Sequence, residues 1–173
     1  MIISLRGTNG AGKSTIVRSV MKHFNDVAPI MVPGRRNPIG YKMAHLFIPG
    51  HYEIANGGID TIDKIELAYE LIKFYDSQGF DVLYEGKNMS DGVTNITKLP
   101  ESKVRIIVVD HPIDQCVESV RSRGHGIKEE TIRRLEKKVS KEAAIFQERG
   151  YPVFRLSRGE AYSKCLDLLR IGC

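Results

Sequence analysis

Short apolar runs alternate along this chain with longer, helix-like segments of mixed polarity. The runs that predict strands cover residues 2–5, 28–32, 81–85, 104–109 and 152–155. The segments that predict helices cover residues 13–24, 61–77, 112–122, 127–148 and 159–170. This alternation is typical of a parallel sheet with helices on both faces. We therefore expect one α/β domain over residues 1–173, a three-layer sandwich around a five-stranded parallel sheet.

Residues 33–60 interrupt the pattern, because prolines and glycines break every helix or strand period there. A long irregular segment in a compact domain is usually functional. Its second half, residues 48–60, reads Ile-Pro-Gly-His-Tyr-Glu-Ile-Ala-Asn-Gly-Gly-Ile-Asp and concentrates polar groups. We expect a functional loop here, ending in Asp60 or Thr61 as the cap of the helix that follows.

The net charge of +5 is concentrated in one part of the chain. Residues 121–141 hold eight Lys or Arg residues against three acids, which by itself amounts to +5. Such a patch attracts phosphates of a nucleotide or a nucleic acid, or it is simply the solvated face of a helix. The three cysteines lack metal-ligand spacing, and neither a signal peptide nor a membrane span is visible. A soluble, cytoplasmic protein is expected.

Nine residues directly after the first strand carry the most specific motif. They fit the pattern G-x-x-x-x-G-K-[ST] of a phosphate-binding P-loop, with Gly7, Thr8, Asn9, Gly10, Ala11, Gly12, Lys13, Ser14 and Thr15. The glycines let backbone N–H groups surround an anion, and the helix dipole adds positive potential. Lys13 is expected to reach the β- and γ-phosphates of ATP, and the Ser14 hydroxyl to bind Mg²⁺.

The class of P-loop protein follows from other motifs. The guanine-binding Asn-Lys-x-Asp of GTPases does not occur in the sequence, and the chain is small for a motor or AAA-type ATPase. The P-loop, an acidic end on the third predicted strand, a basic segment after the fourth and a final helix after Tyr-Pro-Val-Phe-Arg-Leu together resemble the thymidylate-kinase-like group of kinases. That resemblance implies a phosphotransferase with a lid over residues 121–130.

One position departs from the thymidylate kinases. Their third strand ends in Asp-Arg, where the arginine helps to hold the acceptor phosphate, whereas this chain has Glu85-Gly86. A hydroxyl acceptor needs a positioned base more than a phosphate clamp. Glu85 is therefore expected to act as that base or to hold Mg²⁺ together with Ser14.

Further arginines are candidates for phosphate contacts. Arg35 and Arg36 follow the second predicted strand, where this fold meets its acceptor. Arg121 and Arg123 lie beside glycines in the lid, where they can neutralise the transferring phosphoryl group. His111, in Val-Val-Asp-His-Pro, is interpreted as a packing residue.

The Glu-Gly pair and the insert Pro-Gly-His-Tyr-Glu…Gly-Gly-x-Asp resemble bacteriophage kinases that phosphorylate 5-hydroxymethyluracil within DNA. The resemblance implies ATP-dependent transfer to the 5-hydroxymethyl oxygen of a base in phage DNA, a step in thymine hypermodification. A base inside a duplex must be unstacked first, so a pocket is required. Tyr52 is expected to stack on it, and the polar contacts are expected from His51, Glu53, Asn56 and Asp60.

Several alternatives stay open from the sequence. The chain could be a deoxynucleoside monophosphate kinase in which Arg35, Arg36 and a lid arginine clamp a free nucleotide. It could also be a nucleotide-dependent DNA-binding module without transferase activity. Whether Glu85 or Asp60 is the base, and whether the protein oligomerises, is not decided by the sequence.

Overall fold

The computed structural model describes residues 1–53, 57–86, 92–124 and 126–172. Its strands are β1 (Ile2–Arg6), β2 (Ala28–Ile30), β3 (Gly40–Met43), β4 (Leu46–Pro49), β5 (Asp81–Glu85), β6 (Val104–Val109) and β7 (Val153–Leu156). Its helices are α1 (Lys13–Met21), α2 (Ile65–Ser77), α3 (Gly92–Ile96), α4 (Ile113–Arg121), α5 (Glu129–Glu148) and α6 (Arg158–Leu169). Short 3₁₀ turns occupy Ile59–Thr61 and Glu101–Lys103.

The strands form one sheet in the order β2-β3-β4-β5-β1-β6-β7. Five neighbouring strands, from β4 to β7 in that order, run parallel, and β3 runs antiparallel between β2 and β4. β1 lies at the centre, where Leu5 pairs with Glu85 of β5 and Ile107 of β6. The carboxyl ends of β1, β4 and β5 therefore meet at one edge of the sheet, where ligands bind in open α/β folds.

The described part of the sheet thus has seven strands instead of the five that the sequence predicts. The additional pair, β3 and β4, is a hairpin inside the supposedly irregular residues 33–60. Gly40 and Pro49 begin and end these strands and do not break them. The two-residue turn uses Ala44, at a φ of 38°, and His45, so it lacks the Asn-Gly or Gly residues by which hairpins are usually recognised.

The two faces of the sheet bury separate apolar clusters because successive side chains of a strand point in opposite directions. Ile3 and Leu5 of β1 pack with α1 and α6, whereas Ile2 packs on the opposite face with α2 and α5. Each fully buried aliphatic or aromatic side chain contributes roughly 1.5–3 kcal/mol to folding. The position of β1, and of the loop that follows it, is therefore determined from both faces.

The start of the second long helix differs from the prediction. Asp60 and Thr61 belong to a 3₁₀ turn, and α2 begins only after Lys64, which occupies the N-cap position. Asp60 therefore does not cap α2, and the expected capping role is wrong for both residues. Among the described residues, no helix combines the length and the apolar composition needed to span a membrane.

Candidate functional site

The P-loop connects β1 to α1 at the carboxyl edge of the sheet. Gly10 and Gly12 adopt φ angles of 85° and 95°, which residues other than glycine rarely tolerate. A β-carbon at Gly10 would also lie 2.8 Å from the backbone carbonyl carbon of Cys116 in α4. The Thr8 hydroxyl donates to the carbonyl of Ile132 in α5 at 2.8 Å. The loop is therefore held by both neighbouring helices.

Lys13 lies at the centre of this loop and is almost fully buried. Its ammonium donates to the carbonyls of Gly7 at 2.9 Å and Thr8 at 3.0 Å. Burial lowers the pKa of Lys13, and the nearby carboxylates of Glu85 and Asp60 oppose that shift. A cation kept in a poorly solvated loop is suited to binding phosphate.

Glu85 ends β5, beside β1, and is only 3% exposed. Its Oε1 accepts a hydrogen bond of 2.7 Å from the Ser14 hydroxyl. Burial raises the pKa of Glu85, while the charge of Lys13 and the Ser14 hydrogen bond act in the opposite direction. The carboxylate, the hydroxyl and the ammonium thus form one connected group at the strand ends.

A cavity of about 530 Å³ opens beside this group. Among the described residues its lining comprises Asn9, Gly10, Gly12, Lys13, Ser14, Thr15, Arg18, Gly57, Asp60, Thr61, Glu85, Ser119, Val120, Ser122, Arg123, Ile127 and Arg158. The P-loop forms one wall, and the 3₁₀ turn with Asp60 forms another. Two carboxylates and several cations therefore face one space of nucleotide size.

The acceptor segment follows β4. His51 pairs with Gly58 in an isolated antiparallel bridge, and its N–H donates to the Thr61 hydroxyl at 2.8 Å. The His51 ring is buried, with Nε2 lying 3.5 Å from Oε2 of Glu53, whose side chain is exposed. Asn56 lies outside the described residues. The predicted polar residues of this segment that the structure describes are thus spread over different surroundings, and Asp60 lies in the cavity lining.

Tyr52 is placed differently from the stacking residue that was predicted. Its side chain is 2% exposed and belongs to the core beneath the site, and burial raises its pKa well above the usual range. Tyr52 contributes instead to a neighbouring groove of about 590 Å³ along α1, together with Arg18, Met21, Lys22, Val27, Pro29, Tyr41 and Glu53. Arg18 borders both spaces, and its guanidinium donates to the Tyr52 carbonyl at 3.3 Å.

The predicted acceptor arginines lie apart from this cavity lining. Arg35 donates to the Asp63 carboxylate and, at 3.0 Å, to the Thr61 carbonyl, so it ties the residues after β2 to the 3₁₀ turn. Arg36 is exposed. In this arrangement Arg35 supports the backbone next to Asp60.

The two lid arginines are divided in a similar way. Arg123 lines the cavity, and its Nε donates to the Ser119 carbonyl at 2.7 Å. Arg121 is exposed and forms an ion pair of 3.0 Å with Glu129 at the start of α5. The lid arginine that the structure places beside the P-loop is therefore Arg123.

Two cavity residues, Arg18 and Arg158, were not expected from the sequence. Arg18 is concealed within the period of α1, and nothing in its sequence context separates it from a surface arginine. Arg158 could have been found, because it closely follows the last strand and so satisfies the same positional rule that selected Arg35.

The residues present fit a magnesium ion. A hydroxyl and a carboxylate, from Ser14 and Glu85, supply the hard oxygen ligands that Mg²⁺ prefers, and Asp60 faces the same cavity. No group of three or more His, Cys, Asp or Glu side chains suited to a metal occurs in the parts of the chain that the structure describes. This is compatible with Mg²⁺, which is usually held by one or two protein carboxylates together with substrate phosphates.

Known proteins similar to this chain include phage kinases. Over 129 residues the chain is 37% identical to the 5-hmdU DNA kinase of Pseudomonas phage PaMx11, a match that covers 70% of this chain and 68% of that protein. It is 22% identical over 163 residues to the 5-hmdU DNA kinase of Bacillus phage SP10, covering 87% of this chain but 26% of that much longer relative. No family model matches the chain.

Among solved structures, deoxyadenosine kinase from M. mycoides with bound dATP has a TM-score of 0.52 with this chain, over 98% of it and 100% of that protein, at 15% identity. This likeness confirms the predicted P-loop kinase fold. The sequence match to the Pseudomonas phage protein confirms the predicted resemblance, since it extends over two thirds of both chains. The chain belongs to the family of the phage 5-hmdU DNA kinases.

Proposed function

We propose that this protein transfers the γ-phosphate of ATP to the 5-hydroxymethyl hydroxyl of 5-hydroxymethyluracil in DNA, a step in thymine hypermodification. The observation that carries the proposal is the buried group of Lys13, Ser14 and Glu85, followed by Gly86 where a phosphate-clamping arginine would stand. The reaction edge therefore presents carboxylates to the acceptor, which suits a hydroxyl better than a phosphate.

The residues of the site have separate roles in this reaction. Lys13 binds the β- and γ-phosphates, and Ser14 with Glu85 holds Mg²⁺, which when bound neutralises phosphate charge. Asp60 lies in the same cavity, is less buried than Glu85, and is the carboxylate assigned to accept the proton of the acceptor hydroxyl. The acceptor oxygen forms the new P–O bond while the bond between the γ-phosphorus and the bridging oxygen breaks, and ADP leaves. A positioned base contributes roughly 10²- to 10⁴-fold to such a step.

A polymeric acceptor is favoured by the charge of the chain. The pI is about 9.1, and residues 121–141 carry a net charge of +5 beside the cavity wall formed by Arg123. Arg18 and Lys22 add positive charge along the groove that adjoins the cavity. Basic surfaces of this kind attract nucleic-acid backbones, with an affinity that falls steeply with salt.

The test is a transfer assay with γ-labelled ATP and a panel of acceptors: dTMP, 5-hydroxymethyl-dUMP, unmodified DNA, a 5′-hydroxyl oligonucleotide and DNA containing 5-hydroxymethyluracil. Label is expected only in the last. Label confined to the free nucleotides would overturn the proposal in favour of a deoxynucleoside monophosphate kinase. ATP binding without transfer to any acceptor would instead indicate a DNA-binding module.

Three variants test the assigned roles. Lys13→Ala is expected to abolish transfer, whereas Glu85→Gln and Asp60→Asn are expected to retain the fold and lose kcat. Glu66→Gln, an exposed carboxylate on α2, is the matched control and is expected to behave like the unchanged protein. A Mg²⁺ requirement that shifts to higher concentration in Glu85→Gln but not in Asp60→Asn would support the division between metal ligand and base. Equal shifts in both would contradict it.

A further inference from the structure

Arg158, the first residue of α6, turns its side chain back over the P-loop. Its Nε donates to the Ala11 carbonyl at 3.3 Å, and its Nη2 lies 2.9 Å from Nε2 of His111. A β-carbon at Gly12 would lie 2.9 Å from Cδ of Arg158, so only glycine there leaves room for this approach. The guanidinium is partly exposed and lines the cavity beside Lys13.

The contact with His111 has a defined polarity. A guanidinium can only donate hydrogen bonds, so the His111 Nε2 must be the acceptor and the ring must be neutral. Burial and the charge of Arg158 both lower the pKa of His111, which keeps the ring in this form at neutral pH. The backbone of His111 is in turn fixed to α4, because its carbonyl accepts from the Cys116 thiol at 3.7 Å.

A tie between α6 and the P-loop would by itself stabilise the fold, but the geometry provides more than a tie. The bonds to Ala11 and His111 are made by Nε and Nη2, which leaves Nη1 without a role in either. The side chain also lies at the start of α1, where the N–H groups of a P-loop converge on phosphate.

We propose that Arg158 binds the phosphate chain of the nucleoside triphosphate at the P-loop, and that His111 is the positioning residue that holds the guanidinium there. The inference rests on nucleotide binding at the P-loop, which is part of the proposed function, but it is independent of the acceptor. His111, interpreted from the sequence as a packing residue, thereby acquires an indirect role in binding.

The test measures the dissociation constants of ATP and of adenosine by calorimetry, without an acceptor, so a wrong acceptor assignment does not affect it. Arg158→Ala is expected to weaken ATP binding about 10- to 100-fold, which is the usual range for a hydrogen bond to a charged group, and to leave adenosine binding unchanged. Arg155→Ala, which removes an exposed arginine of β7 bonded to Ser140, is the matched control and should bind ATP normally. An unchanged ATP constant in Arg158→Ala would overturn the proposal.

Arg158→Gln provides the second variant should the alanine protein not fold. The amide can still donate to the Ala11 carbonyl, so the helix contact is kept while the charge is lost. It is expected to bind ATP as weakly as Arg158→Ala. Normal ATP binding by a folded Arg158→Gln protein would show that the side chain acts only as a tie.

The positioning role of His111 is tested by rescue and by pH. His111→Gln keeps a side-chain acceptor and should bind ATP almost normally, whereas His111→Ala should bind several-fold more weakly. The ionisable groups around the ring are Arg158 from α6, Cys116 from α4 and the adjacent Asp110. As pH falls below the lowered pKa of His111, the ring becomes a cation and can no longer accept, so ATP affinity should fall faster in the unchanged protein than in His111→Gln. Parallel pH profiles would overturn this role.

Discussion

Gly58 offers a direct test of how the reactive carboxylate is positioned. Its backbone has a φ of 101° and a ψ of −173°, a combination that is essentially restricted to glycine. A β-carbon at this position would lie 2.9 Å from Oε1 of Glu85 and still closer to the Glu85 carbonyl oxygen. Since Glu85 belongs to a strand next to the centre of the sheet, a side chain at position 58 must displace either the strand end or the acceptor segment.

The expected cost of Gly58→Ala has two parts. The strained backbone costs roughly 1–3 kcal/mol, and the steric overlap with Glu85 costs a further 1–3 kcal/mol or so. Gly79→Ala is the matched control, because Gly79 also has a positive φ, of 85°, but no atom of the described residues lies within 4 Å of the place that its β-carbon would take. An excess of about 2 kcal/mol in Gly58→Ala corresponds to a melting temperature lower by about 4–8 °C than that of the control.

The assay combines thermal unfolding by circular dichroism with turnover of labelled ATP. A displacement of the carboxylate by about 1 Å is expected to reduce kcat by roughly 100-fold in Gly58→Ala, while Gly79→Ala keeps its activity. If both variants melt at the same temperature and Gly58→Ala retains full kcat, then Gly58 does not position Glu85.

Three other perturbations have defined outcomes. Burial raises the pKa of Glu85 above 4.5, so stability falls as pH rises from 4.5 through the folded-state pKa; Glu85→Gln should therefore gain melting temperature at neutral pH and gain none below pH 4.5. Ser157→Ala removes half of a capping box and should cost about 0.5–2 kcal/mol in urea unfolding; because its partner Glu160 has a lowered pKa, the loss should shrink as pH falls through that pKa. Glu142→Ala removes the carboxylate 3.7 Å from buried Arg6 and should cost about 3 kcal/mol, a loss that urea unfolding of the double variant with Arg6→Met should partly restore.

The central strands and the long helices could be predicted from the sequence because their patterns are local. β1, β5 and β6 are nearly continuous apolar runs, as buried parallel strands require. The hairpin of β3 and β4 escaped prediction because its turn has no glycine and because Gly40 and Pro49 resemble breakers. Whether these two residues end a strand or interrupt one depends on pairing with β5, which sequence spacing does not reveal.

The candidate site divides along the same line. The P-loop and Glu85 were predictable, since one is a contiguous motif and the other ends a recognisable strand. The position of Arg158 at the P-loop depends on a contact with Ala11 across 147 residues of sequence, and that of Arg18 on the path of the chain around Tyr52. Tyr52 itself could not be assigned to the core from the sequence, because an aromatic residue in a glycine-rich loop is compatible with either stacking or burial.

The bridge between His51 and Gly58 has a consequence for how substrate preference can change in this family. It fixes the two ends of the intervening segment to each other, and the Gly58 N–H donates to the His51 carbonyl at 3.1 Å. Once the ends of a loop are closed, added residues cost little, roughly 0.6 kcal/mol for each doubling of length. The segment between these residues is therefore an exchangeable cassette: its length and composition can drift to suit a new acceptor while the phosphate-transfer apparatus on the neighbouring strands is inherited intact.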